Sequence, residues 1–348
     1  MKRLTLILTA AVLVGSAAFA VAGDFHYGTS LICSDCHVAH YSQSHGYTLG
    51  GTFAALGPNG PYENLLRNDE NMVCLTCHNS QSWAPDVFGA NGGTARVRQG
   101  GGMNAAAGNP ATLGNDPGYD ELDGHTLYSM AMPPHGTTAT PYTPSAIGLR
   151  CIDCHAQHGT TNYRNLLNRG NFAGDTVSYA VGTNDLTKDV FERSAAAYAV
   201  TDVDFNQPNV HGSHYAQWCA ACHKDFHGAG GSAAMGGAVG GVTATNATPW
   251  KRHPVADVFI GESGPTTTYI SSLARYQGVT NKVKVMDAAG LWSNTSTAVT
   301  PSCFSCHKAH GNMNGFGLIF MKGTGTVTEE GDGGQYKDLC RQCHSEGA

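Results

Sequence analysis

The hydrophobic positions of this chain form one continuous run, close to its start, and little long-range periodicity after it. Lys2 and Arg3 precede an apolar stretch from Leu4 to Val14, and small residues follow at Gly15 to Ala18. A basic start, an apolar centre and a small-residue end describe a secretory signal peptide, with A-x-A cleavage patterns at Ala18-Phe19-Ala20 and Ala20-Val21-Ala22. The run is too short to span a bilayer comfortably, and no cysteine near it marks a lipoprotein. Residues 1–22 are therefore expected to be removed, leaving 23–348 as one exported domain. Nothing later in the sequence is apolar enough to cross a membrane.

Beyond that run the pattern is thin. Asp189 to Val200 has the spacing of one modest helix, while Val177 to Val181 and Lys282 to Met286 alternate weakly, as strands do. Gly89 to Gly118 and Gly228 to Gly241 read as flexible loops. Composition deepens the picture: 45 glycines and a charged fraction of 13% suit neither long helices nor a conventional core. The expected fold class is mostly irregular coil with short α-helical turns, organised by something other than side-chain packing. Removing Lys2 and Arg3 takes the formal charge from −6 to −8, and no basic surface is visible for a nucleic acid.

Twelve cysteines in an exported chain would ordinarily suggest disulfides, but their spacing points elsewhere. All twelve fall in Cys33-Ser-Asp-Cys36-His37, Cys74-Leu-Thr-Cys77-His78, Cys151-Ile-Asp-Cys154-His155, Cys219-Ala-Ala-Cys222-His223, Cys303-Phe-Ser-Cys306-His307 and Cys340-Arg-Gln-Cys343-His344. Cys-x-x-Cys-His is the attachment signal for haem c. Two thiols on one turn form thioethers with the two porphyrin vinyl groups, and the adjacent histidine lies under the iron. A zinc ribbon does not need a histidine after every pair, and a disulfide scaffold would not place every cysteine three from a partner. The first cysteines are separated by 41, 77, 68, 84 and 37 residues, so there is no solenoid of equal units. Burial of six porphyrins replaces an apolar core, and the chain is expected to wrap a stacked haem chain.

Six of the 17 histidines are the proximal ones, which leaves eleven for six distal positions. His40, His158 and His310 stand three residues beyond a motif histidine, and His227 stands four beyond. Residues at that spacing on a helical turn share one face, whereas a distal ligand approaches from the opposite face of the porphyrin. Each of the four should therefore reach a haem other than its neighbour's and tie two haems together. His125 and His253 are the best remaining distal candidates, with His26 in reserve. His45, His135, His211 and His214 sit in polar or glycine-rich stretches and read as solvated. Methionine is the other possible distal ligand, but histidine is in excess and the methionines read as packing residues.

These motifs resemble the OmcS-type hexahaem cytochromes, extracellular filament-forming proteins of metal-reducing bacteria. The resemblance runs from Phe25 to the last motif. It is carried by FHYG before the first motif, CSDCHVAH, CHAQHGTTNYR, QWCAACHKDFH and the following KRHP, CFSCHKAHGNMNGF and LCRQCH. It implies six bis-histidine haems in alternating parallel and perpendicular pairs, with His40 ligating the haem held by His307 in the next copy. His26, His125, His158, His227, His253 and His310 have family counterparts as well, so one of seven is surplus, and the expectation places the surplus at His26. The distal set expected is then His40, His125, His158, His227, His253 and His310.

The function these readings favour is long-range electron transfer without substrate chemistry, in a secreted protein at the outer cell surface. Its expected partners are further copies of itself, redox cytochromes and external acceptors such as metal oxides. A monomeric periplasmic shuttle would share that chemistry. A multihaem reductase would need an open iron, often marked by lysine in place of the motif histidine; no Cys-x-x-Cys-Lys occurs. Glu329-Glu330 reads as solvated loop charge.

Overall fold

A computed structural model describes residues 26, 31, 33–38, 57, 60, 62–79, 84, 87, 104–105, 125–132, 143–160, 162–168, 190–191, 200, 203, 205, 215, 218–219, 221–223, 259–261, 271–280, 282–287, 289–311, 315–319, 329 and 336–344. Among them regular structure is short. The helices are α1 (Cys33–Cys36), α2 (Glu70–His78), α3 (Leu273–Gly278), α4 (Cys303–Cys306) and α5 (Tyr336–Arg341), with three-residue 3-10 turns between them. Strands β1 (Asn104–Ala105) and β2 (Thr126–Leu127) pair in parallel, Asn104 opposite Thr126. This is irregular coil punctuated by helical turns, and no described helix is long and apolar enough to cross a membrane.

Short helices need explicit ends. Asp69 caps α2 by accepting the backbone N–H of Met72 at 3.1 Å. Ser302 and Ser305 form a reciprocal capping box on α4, which satisfies donors a four-residue helix cannot pair internally. Four of the five helices, all but α3, coincide with a motif or run into one, because the motif itself is one helical turn.

The chain divides into two compact units, Met1–Thr76 with Cys151–Leu167, and Cys77–Arg150 with Asn168–Ala348. In the first, Val38, Val73, Leu75, Tyr163 and Leu166 form the buried apolar set. In the second, the extended segment Lys282–Met286 runs through the core. The alternation there suggests a half-exposed strand, yet all five residues are buried and only Met286 makes β-bridges, to Trp292 and Thr300. The lysines are buried because each finds partners: Lys282 donates to the Gln277 carbonyl at 3.0 Å, and Lys284 pairs with Glu329. Glu329, expected as solvated loop charge, is completely buried.

Of the helix suggested over Asp189 to Val200, only Val190, Phe191 and Val200 are among the described residues, and Val190 and Phe191 form a bend. Both are buried, and Phe191 packs on Phe304 at 4.9 Å; two adjacent buried side chains use the bend to face the core together. Residues 1–22, Val177 to Val181 and most of the two glycine-rich stretches lie outside the described residues.

Candidate metal centres

The cysteines and histidines of all six Cys-x-x-Cys-His motifs lie among the described residues. In five motifs the histidine N–H donates to the carbonyl of the first cysteine: His37, His155, His223, His307 and His344, at 2.8 to 3.0 Å. Cys74, Cys77 and His78 lie in the last turns of α2. Each motif is therefore one α-turn presenting two thiols and an imidazole together.

Three motifs share a further device that the motif scan does not reveal. His37 Nδ1–H donates to the Asn64 carbonyl at 3.0 Å, His155 Nδ1–H to Arg164 at 2.9 Å, and His307 Nδ1–H to Phe316 at 2.9 Å. Around each bond the backbone pairs identically. Val38 N–H donates to the Leu65 carbonyl, Ala156 N–H to that of Asn165, and Lys308 N–H to that of Gly317. Arg67, Leu167 and Ile319 then donate back to the second cysteine of each motif, at 2.8 to 2.9 Å.

The accepting carbonyls belong to tight turns with two successive left-handed residues: Asn64 and Leu65, Arg164 and Asn165, Phe316 and Gly317, all with φ between 51° and 62°. For residues other than glycine this conformation costs about 1–2 kcal/mol each, and such strain concentrates at functional sites. Its effect is to aim a carbonyl at the ring. A carbonyl only accepts, so Nδ1 carries the proton and the lone pair sits on Nε2, the nitrogen left for a metal. Burial also holds the His307 imidazole below its ordinary pKa, with His125 adding to that effect, and the neutral ring is the ligating form.

The histidines then meet in pairs. The rings of His37 and His158 have centroids 6.2 Å apart with planes inclined by 29°; those of His125 and His223 stand 5.9 Å apart at 37°. Each pair combines one motif histidine with one histidine expected as distal. His125 is fixed by donating Nδ1–H to the Ala309 carbonyl at 2.6 Å, and His26 donates Nδ1–H to the Gln157 carbonyl at 3.1 Å. His310 lies half-buried in a bend. His40, His227 and His253 lie outside the described residues, as do His45, His135, His211 and His214.

Thiols of different motifs also converge. Cys151 hydrogen-bonds Cys74, and Cys219 hydrogen-bonds Cys303, so the first cysteines of motifs two and three, and of four and five, adjoin. The contact with Cys74, together with burial, holds the Cys151 thiol well above its ordinary value. Burial pushes Cys306 and Cys343 up to about 12, each with neighbouring thiols contributing. Only Cys33 and Cys340, the first cysteines of the first and last motifs, are exposed.

This donor set fits haem c. A metal bound at about 2 Å by one nitrogen of each imidazole puts the ring centroids roughly 6 Å apart, which both histidine pairs match. Leu65 and Phe316, in the turns holding His37 and His307, are among the few exposed large apolar residues, as suits turns that border a flat apolar group. The sequence does carry a trace of the turns, Asn64-Leu-Leu66 and Asn165-Leu-Leu167. Aligned on those letters, however, the two segments are one residue out of structural register.

No family model matches the chain, and no curated protein matches it. Two solved structures resemble it weakly. One is a cryo-EM structure of the OmcS nanowires from Geobacter sulfurreducens, 16% identical, covering 91% of this chain and 94% of that one, with a TM-score of 0.37. The other is an outer membrane cytochrome S filament from Geobacter sulfurreducens, 17% identical, covering 87% and 85%, also at 0.37. That score falls short of a shared fold.

Proposed function

We propose that this chain is a secreted hexahaem c-type cytochrome that conducts electrons over long distances outside the cell, as an end-to-end polymer of its own copies. The observation that carries the reading is the pairing of His37 with His158 and of His125 with His223 at the spacing of two axial ligands. Covalently held haem supplies one-electron chemistry, and the protein supplies spacing and potential.

The residues divide that work. The twelve motif cysteines hold the groups, and His37, His78, His155, His223, His307 and His344 ligate from the proximal side. The left-handed turns keep Nε2 of three proximal rings directed at the metal. His158 and His125 close two distal positions, with His40, His253 and His310 as further ligands. Two nitrogen ligands on each iron leave no position for a substrate, so no residue is assigned a catalytic role. Adjacent anchors at Cys74 and Cys151, and at Cys219 and Cys303, support close contact between the groups they carry. The exposure of Cys33 and Cys340, the first cysteines of the first and last motifs, supports continuation into a neighbouring copy, with His40 ligating across the junction. Redox cytochromes and external acceptors such as metal oxides are its proposed partners.

Spectroscopy on the exported protein tests the core of this: six haems, all low-spin with imidazole-type signatures. A high-spin haem that binds cyanide or nitrite refutes the pure carrier. Electron microscopy of the secreted fraction tests assembly. Filaments in the wild type that are lost in His40→Ala, with one haem per chain exposed, are expected; a monomer in both refutes polymerisation alone.

A further inference from the structure

A cluster of buried charge lies beside the fifth motif. Lys308 follows His307 directly, and its backbone N–H donates to the Gly317 carbonyl at 2.8 Å, within the turn that holds the His307 ring. Its side chain turns inward: Nζ is 3.2 Å from the Glu329 carboxylate, which also bonds Lys284, and none of the three side chains is more than 1% exposed. Phe191 joins this cluster to the motif. Both ammonium groups lie 5.1 Å from the centroid of its ring, and the same ring packs at 4.9 Å on Phe304, the residue after Cys303. The charges are therefore fixed against the motif and away from solvent.

Stability does not account for such a cluster, because well-packed apolar side chains of similar volume serve a core as well as buried ions do, or better. What a buried charge adds is a field, and in an interior of low dielectric that field is little screened. A haem iron between two neutral imidazoles responds to it. On the porphyrin dianion the ferric centre carries one net positive charge and the ferrous centre none, and one electron from a neighbouring haem separates the two states. A nearby cation favours the ferrous state and a nearby carboxylate the ferric.

We infer that Lys308 and Glu329 set the potential of the haem at the fifth motif, Lys308 raising it and Glu329 lowering it. Neither is a ligand; each acts on the iron through space. This rests on the haem reading proposed above.

The test is redox potentiometry of the full-length exported holoprotein, with haem on Cys303 and Cys306 verified by peptide mass. Lys308→Met leaves Glu329 bonded to Lys284, so it removes one charge without stranding the carboxylate. A unit charge roughly 10 Å from an iron, at an effective dielectric of about 20, changes the ferric-to-ferrous ratio about tenfold. In Lys308→Met one of the six midpoints is expected to move negative by that much, with the other five nearly in place. Glu329→Gln is expected to move the same midpoint positive. Both shifts should survive added salt, which screens exposed charges far more than buried ones. The opposite signs separate a field from a loosened core, since water admitted to the core would move the potential the same way in both variants. Should either variant fail to fold, Lys284→Met with Lys308→Met and Glu329→Leu decides: it loses two cations and one anion, and the same midpoint is expected to move negative. A ratio that changes less than about twofold, shifts of one sign in both single variants, or shifts abolished by salt overturn the inference and leave the haem reading standing. A wild type without haem on Cys303 and Cys306 overturns both.

Discussion

Glu329 offers the sharpest test of how this protein handles charge without a large conventional core. Its carboxylate is wholly buried, bonded to Lys284 and 3.2 Å from Lys308 Nζ, and both lysines are buried too. Each ammonium also lies 5.1 Å from the centroid of the Phe191 ring. Glu329→Gln preserves shape while leaving two buried cations without their counter-charge. Removing one member of a buried pair costs about 3–5 kcal/mol, since the cation–π contacts are worth only about 0.5–2 kcal/mol each. The amides of Met286 and Thr300, which donate to each other's carbonyls at 3.0 and 2.9 Å, report opening of this core by hydrogen exchange. Their exchange should accelerate by about 10²- to 10⁴-fold, at 1.4 kcal/mol per tenfold. A second variant, Lys284→Met with Lys308→Met and Glu329→Leu, removes these three charges together and should exchange at nearly the wild-type rate or slower. Acceleration below tenfold in Glu329→Gln, or an equal defect in the triple variant, refutes the uncompensated-charge account.

Three further outcomes follow from the geometry. Tyr276 donates to the Val283 carbonyl at 2.7 Å and accepts from Trp292 Nε1–H at 3.0 Å, so Tyr276→Phe should cost about 1–3 kcal/mol in thermal or denaturant unfolding. Burial raises this phenol above its ordinary value, partly offset by Trp292. Its contribution is therefore complete below about pH 10 and lost as pH rises further, and Tyr276→Phe should flatten that alkaline loss. Gly148 has φ +83°, and a Cβ there would meet the Tyr128 carbonyl oxygen at 2.3 Å; Gly148→Ala should destabilise by at least about 2 kcal/mol, seen as faster proteolysis near 143–150. At Leu65, φ 57°, Leu65→Gly should leave the His37 turn intact, whereas Leu65→Val should loosen it and broaden the spectrum of the haem proposed there.

The motif spacing alone located the proposed attachment sites, because Cys-x-x-Cys-His is a local turn whose geometry follows from its own hydrogen bond. Fold class was legible for a related reason: the abundance of glycine and scarcity of charge leave few segments able to pay for regular structure. The proximal turns were not legible, since they depend on φ rather than on residue type. Asn64, Arg164 and Phe316 share a conformation and a role but no chemistry. The burial of Lys284 and Glu329 was hidden too, for a charge reads as solvated until its partner 45 residues away is known.

The converging thiols carry a consequence for maturation. Cys74 with Cys151, and Cys219 with Cys303, hydrogen-bond across motif boundaries. In an oxidising compartment a thiol so close to another is one oxidation step from a crosslink, and each such bridge would disable two attachment sites at once. On the haem reading, such bridges are avoided when the thioethers form before these segments close on one another.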